Sequence, residues 1–306
     1  MDLAIELVRT ICGRLGLLFV IVVCSIKLTA SAEEGFVRSY AEERLPALGN
    51  LCRAGTGVFV PDGMPEALCV SGAITSYADG WACEPPIHAE NRRQVKIVYA
   101  DTPGGEFCSF IKLAAEMMSG RSLATKPILI VGGACHSACA NYLVPAASAV
   151  YMADGAVISQ HGTLPRDLAS YLDMKIPPTE KSRMIQIGAL GDLHARYAAA
   201  TRDYAAFVDE EIALEDEVFR MSGVDSLYAR RYHDVAHAVR ERDPVPGARG
   251  MTLVLGPGHM ARYGVRLVRP WFAGSPADYV RILPKTADRD VLVWDLDEAP
   301  FSYPAQ

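Results

Sequence analysis

Residues Lys126 to Gly162 read KPILIVGGACHSACANYLVPAASAVYMADGAVISQHG and carry the clearest pattern in the chain. Their first apolar run, Pro127 to Val131, is short, β-rich and bounded by a proline and two glycines. This predicts a buried strand that ends at Gly132-Gly133. The residues that follow, Ala138 to Val144, predict a helix. The stretch therefore predicts a strand that turns sharply into a helix.

The turn itself contains Ser137. A strand that turns into a helix leaves the first helical N–H groups without intrahelical partners and directed at the turn. A second apolar run, Ala149 to Ser159, predicts another strand, and His161 follows its end. A serine at an elbow and a histidine at a strand end are the parts of a hydroxyl nucleophile and its base. A helix-capping serine and a structural histidine are the alternatives.

The rest of the chain alternates between strand and helix patterns. The remaining predicted elements are strands at Leu68–Gly72, Gln94–Ala100, Met251–Leu255 and Asp290–Asp295, helices at Tyr40–Leu48, Glu106–Ser119 and Arg183–Met221, a further helix beginning at Leu227, and a helical turn at Gly258–Tyr263. Strands followed by helices three times over predict an α/β domain with a largely parallel sheet.

Three of these motifs resemble the Clp protease proteolytic subunit and, more widely, the Clp/crotonase superfamily, especially an exported branch of Clp-like proteins. The matching motifs are the strand leading into Thr102-Pro103-Gly104-Gly105, the elbow from Gly133 to Ala138, and the strand that ends in His161. A later segment, Gly258 to Val265, looks like the one that closes that domain. The resemblance covers roughly Ala67 to Val268. It implies a spiral of ββα units and a homo-oligomer.

The resemblance also implies a chemistry, in which serine attacks a carbonyl, histidine takes its proton and backbone N–H groups hold the oxyanion. It assigns these first two roles to Ser137 and His161, with Asp243, the nearest carboxylate before the closing segment, as the orienting acid. The oxyanion hole would consist of the backbone at Gly104, Gly105 and Ala138. A Ser–His dyad without the acid and an inactive descendant are the alternatives.

Residues 1–32 predict a signal peptide. Arg9 and Arg14 precede an apolar core, Leu15 to Ile26, which has 12 residues and is shorter than the roughly 20 that span a bilayer. Ala30-Ser31-Ala32 then supplies the small-residue pattern of a cleavage site. We expect an exported protein, periplasmic or secreted, with a main domain at 33–270 and a C-terminal tail at 271–306. An uncleaved segment that anchors the chain in the membrane is the alternative.

Cleavage would remove Cys12 and Cys24 and leave six of the eight cysteines. An even number of cysteines in an exported protein predicts disulfides, and six allow 15 full pairings. We name Cys108, Cys135 and Cys139 as candidates, because the last two flank Ser137. One hypothesis joins Cys108, behind the glycine loop, to one of these two.

A metal site is the rival interpretation. The segment His233-Asp234-Val235-Ala236-His237 places two imidazoles four residues apart on one helix face, as in a zincin helix with Asp in place of Glu. His259 would be a third ligand. Because two histidines four apart arise readily by chance, we rank a metallopeptidase third among the functions.

The formal charge of −6 and the absence of a basic cluster with interleaved aromatics exclude nucleic acid as a partner. The first-ranked function is an exported serine hydrolase, a peptidase or another acyl hydrolase, acting on a peptide or acyl substrate without a cofactor or metal. The second-ranked function is a non-catalytic binding or assembly module that keeps the fold.

Overall fold

A computed structural model describes residues 35–74, 94–122, 125–168, 171, 190–232, 251–268, 290–294 and 301–303. The chain divides into two compact units, Met1–Arg44 and Leu45–Gln306. In the first unit the described residues are helical, Phe36 stacks on Tyr40, and the Arg44 guanidinium lies 3.9 Å from the centre of the Tyr40 ring. The second unit contains every described strand.

The described strands form one mixed sheet, which confirms the α/β class. They are β1 (Gly57–Phe59), β2 (Ala67–Ser71), β3 (Ile97–Thr102), β4 (Ile128–His136), β5 (Ala149–Met152), β6 (Val157–Gln160), β7 (Met251–Leu255), β8 (Asp290–Trp294) and β9 (Phe301–Tyr303). The sheet order is β1-β2-β3-β4-β6-β7-β8-β9, and β5 pairs with β4. Strands β2 to β6 pair in parallel, β7 runs antiparallel to β6, and β8 is parallel to β7. The predicted tail at 271–306 thus contributes β8 and β9 to the sheet.

The helices confirm most of the predicted ones. They are α1 (35–53), α2 (Phe107–Met118), α3 (a π-helical turn at Cys139–Leu143 continued by Val144–Ala146), α4 (Leu190–Phe207), α5 (Ala213–Ser222), α6 (227–232) and α7 (Pro257–Arg262). A second π-helical turn, Val208–Ile212, joins α4 to α5. Helix α2 packs against α3 and α5. Its apolar residues recur at helical spacing, and the buried ones include Phe110, Ile111 and Ala114.

The prediction that the strand after Pro127 ends at Gly132-Gly133 is wrong, because β4 continues to His136. Side chains of β3 explain the glycines. A Cβ on Gly132 would lie 2.0 Å from the Tyr99 hydroxyl oxygen, and one on Gly133 would lie 2.3 Å from Asp101 Oδ1. Asp101 Oδ1 also accepts the N–H of Ala134 at 3.1 Å, across the irregular register between β3 and β4. The two glycines therefore make room for the neighbouring strand and do not stop their own.

The single strand predicted over Ala149–Ser159 is two strands, β5 and β6, separated by a turn in which Gly155 has a φ of +75°. They share β4 between them. The first half of β4, Ile128–Val131, pairs with β5, and Ala134–His136 pairs with β6. This division brings the end of β6 beside the end of β4. His161 and Ser137, which follow these two strand ends, therefore belong to the same region of the sheet.

Candidate active site

Ser137 occupies a strained turn between β4 and α3. Its φ is +58°, and it is the single non-glycine residue with positive φ among the described residues. This left-handed conformation costs an L-residue on the order of 1–2 kcal/mol. The Ser137 N–H donates to the carbonyl of Ser159 on β6 at 2.8 Å, and the Ser137 carbonyl accepts the N–H of Asn141 at 3.0 Å. A serine held in such a strand–turn–helix elbow is the arrangement used by many serine nucleophiles.

A disulfide spans this elbow. Cys135, at the end of β4, is bonded to Cys139, at the start of α3, and both are fully buried. The hypothesis of a bond from Cys108 to either of these cysteines is therefore wrong, although Cys108 is itself disulfide-bonded. A further disulfide joins Cys52 to Cys69. The prediction that the chain contains disulfides is confirmed.

The glycine loop after β3 packs directly against the elbow. Gly104 has a φ of +92°, and a Cβ there would lie 2.5 Å from the His136 carbonyl oxygen and 2.8 Å from Ser137 Cβ. A Cβ on Gly105, whose φ is +151°, would lie 1.8 Å from the carbonyl oxygen of Ile74. A side chain on Gly104 would clash with the elbow, and a side chain on Gly105 would clash with the backbone of Ile74. Gly104 is therefore required for the close approach to the serine, and Gly105 for the packing of the loop on Ile74.

The three predicted oxyanion-hole residues differ in whether their backbone N–H is available as a hydrogen-bond donor. The N–H of Gly104 already donates to Thr102 Oγ1 at 3.0 Å. Gly105 and Ala138 border the cavity beside Ser137. Among the described residues, no protein group accepts the N–H of either one. Gly104 thus supplies space, and the other two residues supply the available donors.

A cavity of about 610 Å³ lies in front of the elbow. Its size is within the range of small-ligand sites. The residues that line it are Gly105, Phe107, Ser137, Ala138, Asn141, Tyr142, His161, Gly162, Thr163, Leu164, Pro165, Arg166, Asp167 and Arg230. The structure therefore brings Ser137 and His161 to one cavity, together with two of the three predicted oxyanion-hole residues.

The two histidines near the serine have different surroundings. His161 is half-buried and borders the cavity. His136 is buried, and its Nδ1 lies 2.6 Å from the Ser159 hydroxyl oxygen. The centres of the two imidazole rings are 4.9 Å apart. His161 is therefore the histidine placed to act on a molecule in the cavity, and His136 packs behind it.

Asn141 borders the cavity, although the sequence did not predict it as a site residue. It lies four residues after Ser137 in α3, and its Nδ2 donates to the carbonyl of Gly162 at 2.6 Å. It is 2% exposed, and its Oδ1 accepts no hydrogen bond from the described residues. Its signal in the sequence is that it is the one strongly polar side chain between Ala138 and Ala147.

The buried carboxylate of Glu215, on α5, is a further residue that the sequence did not predict at the cavity. Its Oε1 accepts hydrogen bonds from the hydroxyls of Tyr142 and Thr163, each at 2.9 Å. Its Oε2 forms an ion pair with Arg166 and lies 3.7 Å from Arg230 Nη2. All four of these partners border the cavity. Glu215 therefore fixes one wall of the cavity from behind.

Asp216, the next residue, completes this charged cluster through Arg166 and Arg230. Burial alone would raise the pKa of the Asp216 carboxyl, but the hydrogen bonds and charges of the two arginines outweigh it and lower the pKa. Burial raises the pKa of the Tyr142 phenol, which stays protonated and donates to Glu215. The wall is thus a network of paired charges.

Several predicted site residues lie outside the described residues. These are the orienting acid Asp243 and the pair His233 and His237. His259 is fully buried, with its ring against those of Tyr228 and Tyr263. Within the described ranges, no group of three or more His, Cys, Asp or Glu side chains could hold a metal ion.

The predicted signal peptide, residues 1–32, also lies outside the described part of the chain. None of the described helices is both long enough and apolar enough to cross a bilayer. A comparison with models of known protein families finds no match to this chain. A search of curated proteins likewise finds no significant relative. The functional assignment therefore rests on the geometry of the elbow, the histidine and the cavity.

Proposed function

We propose that the protein is a serine hydrolase that cleaves peptides or related acyl substrates, with Ser137 as nucleophile and His161 as base. The observation that carries this proposal is the positive φ of Ser137 beside a cavity that His161 also borders. A helix-capping serine needs no left-handed backbone, since capping residues have β-region dihedral angles. Strain at a residue that faces a cavity is typical of active sites.

The chemistry follows from these positions. His161 takes the proton of the Ser137 hydroxyl while Oγ attacks the substrate carbonyl, whose oxygen becomes negatively charged in the tetrahedral intermediate. The N–H groups of Gly105 and Ala138 stabilise that oxygen. The C–N or C–O bond then breaks, and the imidazolium donates its proton to the leaving group. Water, deprotonated by His161, hydrolyses the acyl-serine and restores the enzyme.

The cavity wall limits the substrates. Phe107, Leu164 and Pro165 supply apolar surface. Arg166 and Arg230 are paired with Glu215 and Asp216, so the charges of this wall are largely neutralised. A short peptide segment or a compact acyl ester fits such a volume and such a lining better than a polyanion does.

We further propose, on the resemblance, that the sheet belongs to a Clp/crotonase-like spiral, that the chain is exported through residues 1–32, and that it forms a homo-oligomer. Support for the first is the division of β4 between β5 and β6, which changes the neighbour of one strand midway along it. Support for the second is the pair of buried disulfides, which persist in oxidising compartments.

Labelling with a fluorophosphonate probe, followed by mapping of the modified residue, tests the catalytic proposal. We expect the probe to modify Ser137, and labelling should be lost in Ser137→Ala. Ser122 is exposed, so Ser122→Ala serves as the matched control and should be labelled like wild type. Turnover should fall by roughly 10³-fold or more in Ser137→Ala and in His161→Ala. The double variant should lose little more, because the two groups act as a unit.

Two results would contradict the proposal. If Ser137→Ala keeps full turnover and a chelator abolishes it, the metal interpretation built on His233 and His237 replaces the serine. If folded wild-type protein neither reacts with the probe nor cleaves a broad panel of esters and peptides, the binding or assembly module is the better description. A circular-dichroism melt of each variant shows whether the protein is folded.

A further inference from the structure

We propose that Asn141 is a positioning residue that holds His161 at the correct distance from Ser137. This inference rests on the proposed function. Asn141 touches both catalytic segments: its backbone N–H donates to the carbonyl of Ser137 at 3.0 Å, and its side chain donates to the carbonyl of Gly162 at 2.6 Å. A single residue therefore links the nucleophile to the residue next to the base.

The placement of Asn141 follows from the helix it occupies. In the π-helical turn Cys139–Leu143, the elbow continues directly into a helix, so a residue four positions after Ser137 lies on the serine's side of it. π-Helical turns are rare and are found frequently at functional sites. The Asn141 side chain reaches from this helix to Gly162, just beyond β6. Among the described residues, no backbone hydrogen bond joins α3 to this segment.

Gly162 is a residue that needs such a restraint. Its φ is +136°, in a region that side-chain-bearing residues avoid and that glycine enters freely. The direction of its carbonyl, and of His161 before it, is consequently weakly fixed by the backbone alone. The hydrogen bond from Asn141 Nδ2 fixes this carbonyl against the elbow. The next residue, Thr163, is held separately by Glu215.

The burial of Asn141 favours a functional role over a purely stabilising one. Its side chain is 2% exposed, and its Oδ1 receives no hydrogen bond from the described residues. A buried acceptor that stays unsatisfied is unfavourable, and native proteins contain few of them. An apolar residue of the same shape would avoid this cost. The retained amide is explained if the Nδ2 hydrogen bond to Gly162 is needed for catalysis.

The test compares the rate of fluorophosphonate labelling at Ser137 in four proteins: wild type, Asn141→Leu, His161→Ala and the double variant. Asn141→Leu keeps the shape of the side chain and removes its hydrogen bond. We expect labelling per folded molecule to slow by about tenfold or more, since a misplaced base lowers reactivity steeply. In turnover, kcat should fall while KM changes little. In the His161→Ala background, Asn141→Leu should slow labelling no further, because Asn141 acts through the histidine.

Other outcomes overturn the inference. If Asn141→Leu labels at the wild-type rate, or slows labelling by the same factor with and without His161, Asn141 does not position the base, although the proposed function stands. If wild-type Ser137 is not labelled, the proposed function and this inference both fail. If Asn141→Leu does not fold, Asn141→Ser, which introduces a smaller side chain, replaces it in the same comparison of four proteins. Rates are normalised to folded protein from a circular-dichroism melt, because a merely structural role would lower that amount and leave the rate per folded molecule unchanged.

Discussion

Ser137, the proposed nucleophile, has an unfavourable backbone conformation. Its φ of +58° places the side chain at the cavity, where the glycine loop at Gly104 lies against it. The conformation persists because β4 and α3 hold the residues on both sides of it. A glycine would adopt the same backbone conformation at a lower energy cost, because it has no Cβ to crowd the neighbouring carbonyl. Stability and the proposed catalytic role therefore favour different residues at this position.

We expect Ser137→Gly to be more stable than Ser137→Ala by about 1 kcal/mol, since both variants lack the hydroxyl but glycine relieves the left-handed strain. Both should be inactive. Denaturant unfolding of the two variants side by side measures the difference. Equal stability, or a more stable alanine variant, would show that the elbow is relaxed in solution and that φ at Ser137 is not strained.

The sequence predicted some of these residues and not others, for a physical reason. Ser137 and His161 follow apolar runs, so their place at strand ends can be predicted from local pattern. Asn141 and Glu215 owe their roles to partners that are distant in sequence, Gly162 for the first and Tyr142 and Thr163 for the second. A lone Asn in an apolar helix was a usable signal. Glu215 has no such signal, because it lies in an acidic run that also contains exposed residues such as Asp209 and Glu210.

At the scale of secondary structure, the elbow is closed by a disulfide that joins the end of β4 to the start of α3. Cys135 and Cys139 are four residues apart, whereas Cys52 and Cys69 are 17 apart. A longer closed loop restricts the unfolded chain more, so the two bonds should differ in what they contribute to stability. The Cys135–Cys139 bond should contribute more to activity than the Cys52–Cys69 bond does, because the loop that it closes contains Ser137.

Replacing Cys135 and Cys139 together by alanine should lower the free energy of unfolding by about 2 kcal/mol, and replacing Cys52 and Cys69 by about 3 kcal/mol. Turnover should fall strongly in the first double variant and stay near the wild-type value in the second. Denaturant unfolding and a substrate assay measure both quantities. Equal loss of turnover in the two variants would mean that the elbow does not depend on its own disulfide.

The boundaries of β4 show what local pattern cannot predict. Two consecutive glycines usually mark the end of a strand, and the sequence alone favours that interpretation. The glycines are instead required because Tyr99 and Asp101 on β3 occupy the space where their side chains would be. That cause lies on another strand, more than 30 residues earlier in the chain. Helix α2 was predictable because its apolar spacing is contained within the helix. Helices α4 and α5 were predicted as one helix over Arg183–Met221, because the apolar spacing continues through the π-helical turn that joins them.

At the scale of the whole molecule, a charged cluster ties together parts of the chain that are far apart in sequence. Arg166 follows β6, Glu215 and Asp216 belong to α5, and Arg230 belongs to α6. The pKa of Asp216 is lowered from its ordinary value of 3.8, as the arginines overcome the effect of burial. A carboxyl whose pKa is lower in the folded state stabilises the protein above its unfolded pKa. That contribution is lost as the pH falls through the folded value.

We therefore expect Asp216→Asn to unfold more easily than wild type at pH 7 and to approach it as the pH falls below about 4. Unfolding measured across this range, in low and high salt, checks the prediction. Asp62→Asn, which changes an exposed carboxylate away from the cluster, is the matched control and should run parallel to wild type. A difference between Asp216→Asn and wild type that stays constant with pH would mean that the carboxyl acts through packing and not through its charge.

The burial of the Cys135–Cys139 bond also bears on the order of events as the chain matures. Both sulfurs are fully enclosed in the folded protein, so an oxidant can reach them only before packing is complete. Four residues of separation allow them to meet without help from distant parts of the chain. Newly made chains kept in a reducing compartment would thus lack the bond that shapes the elbow. The short separation and the burial of Cys135 and Cys139 therefore determine when this disulfide forms. They also determine in which compartment the chain can first adopt the native elbow.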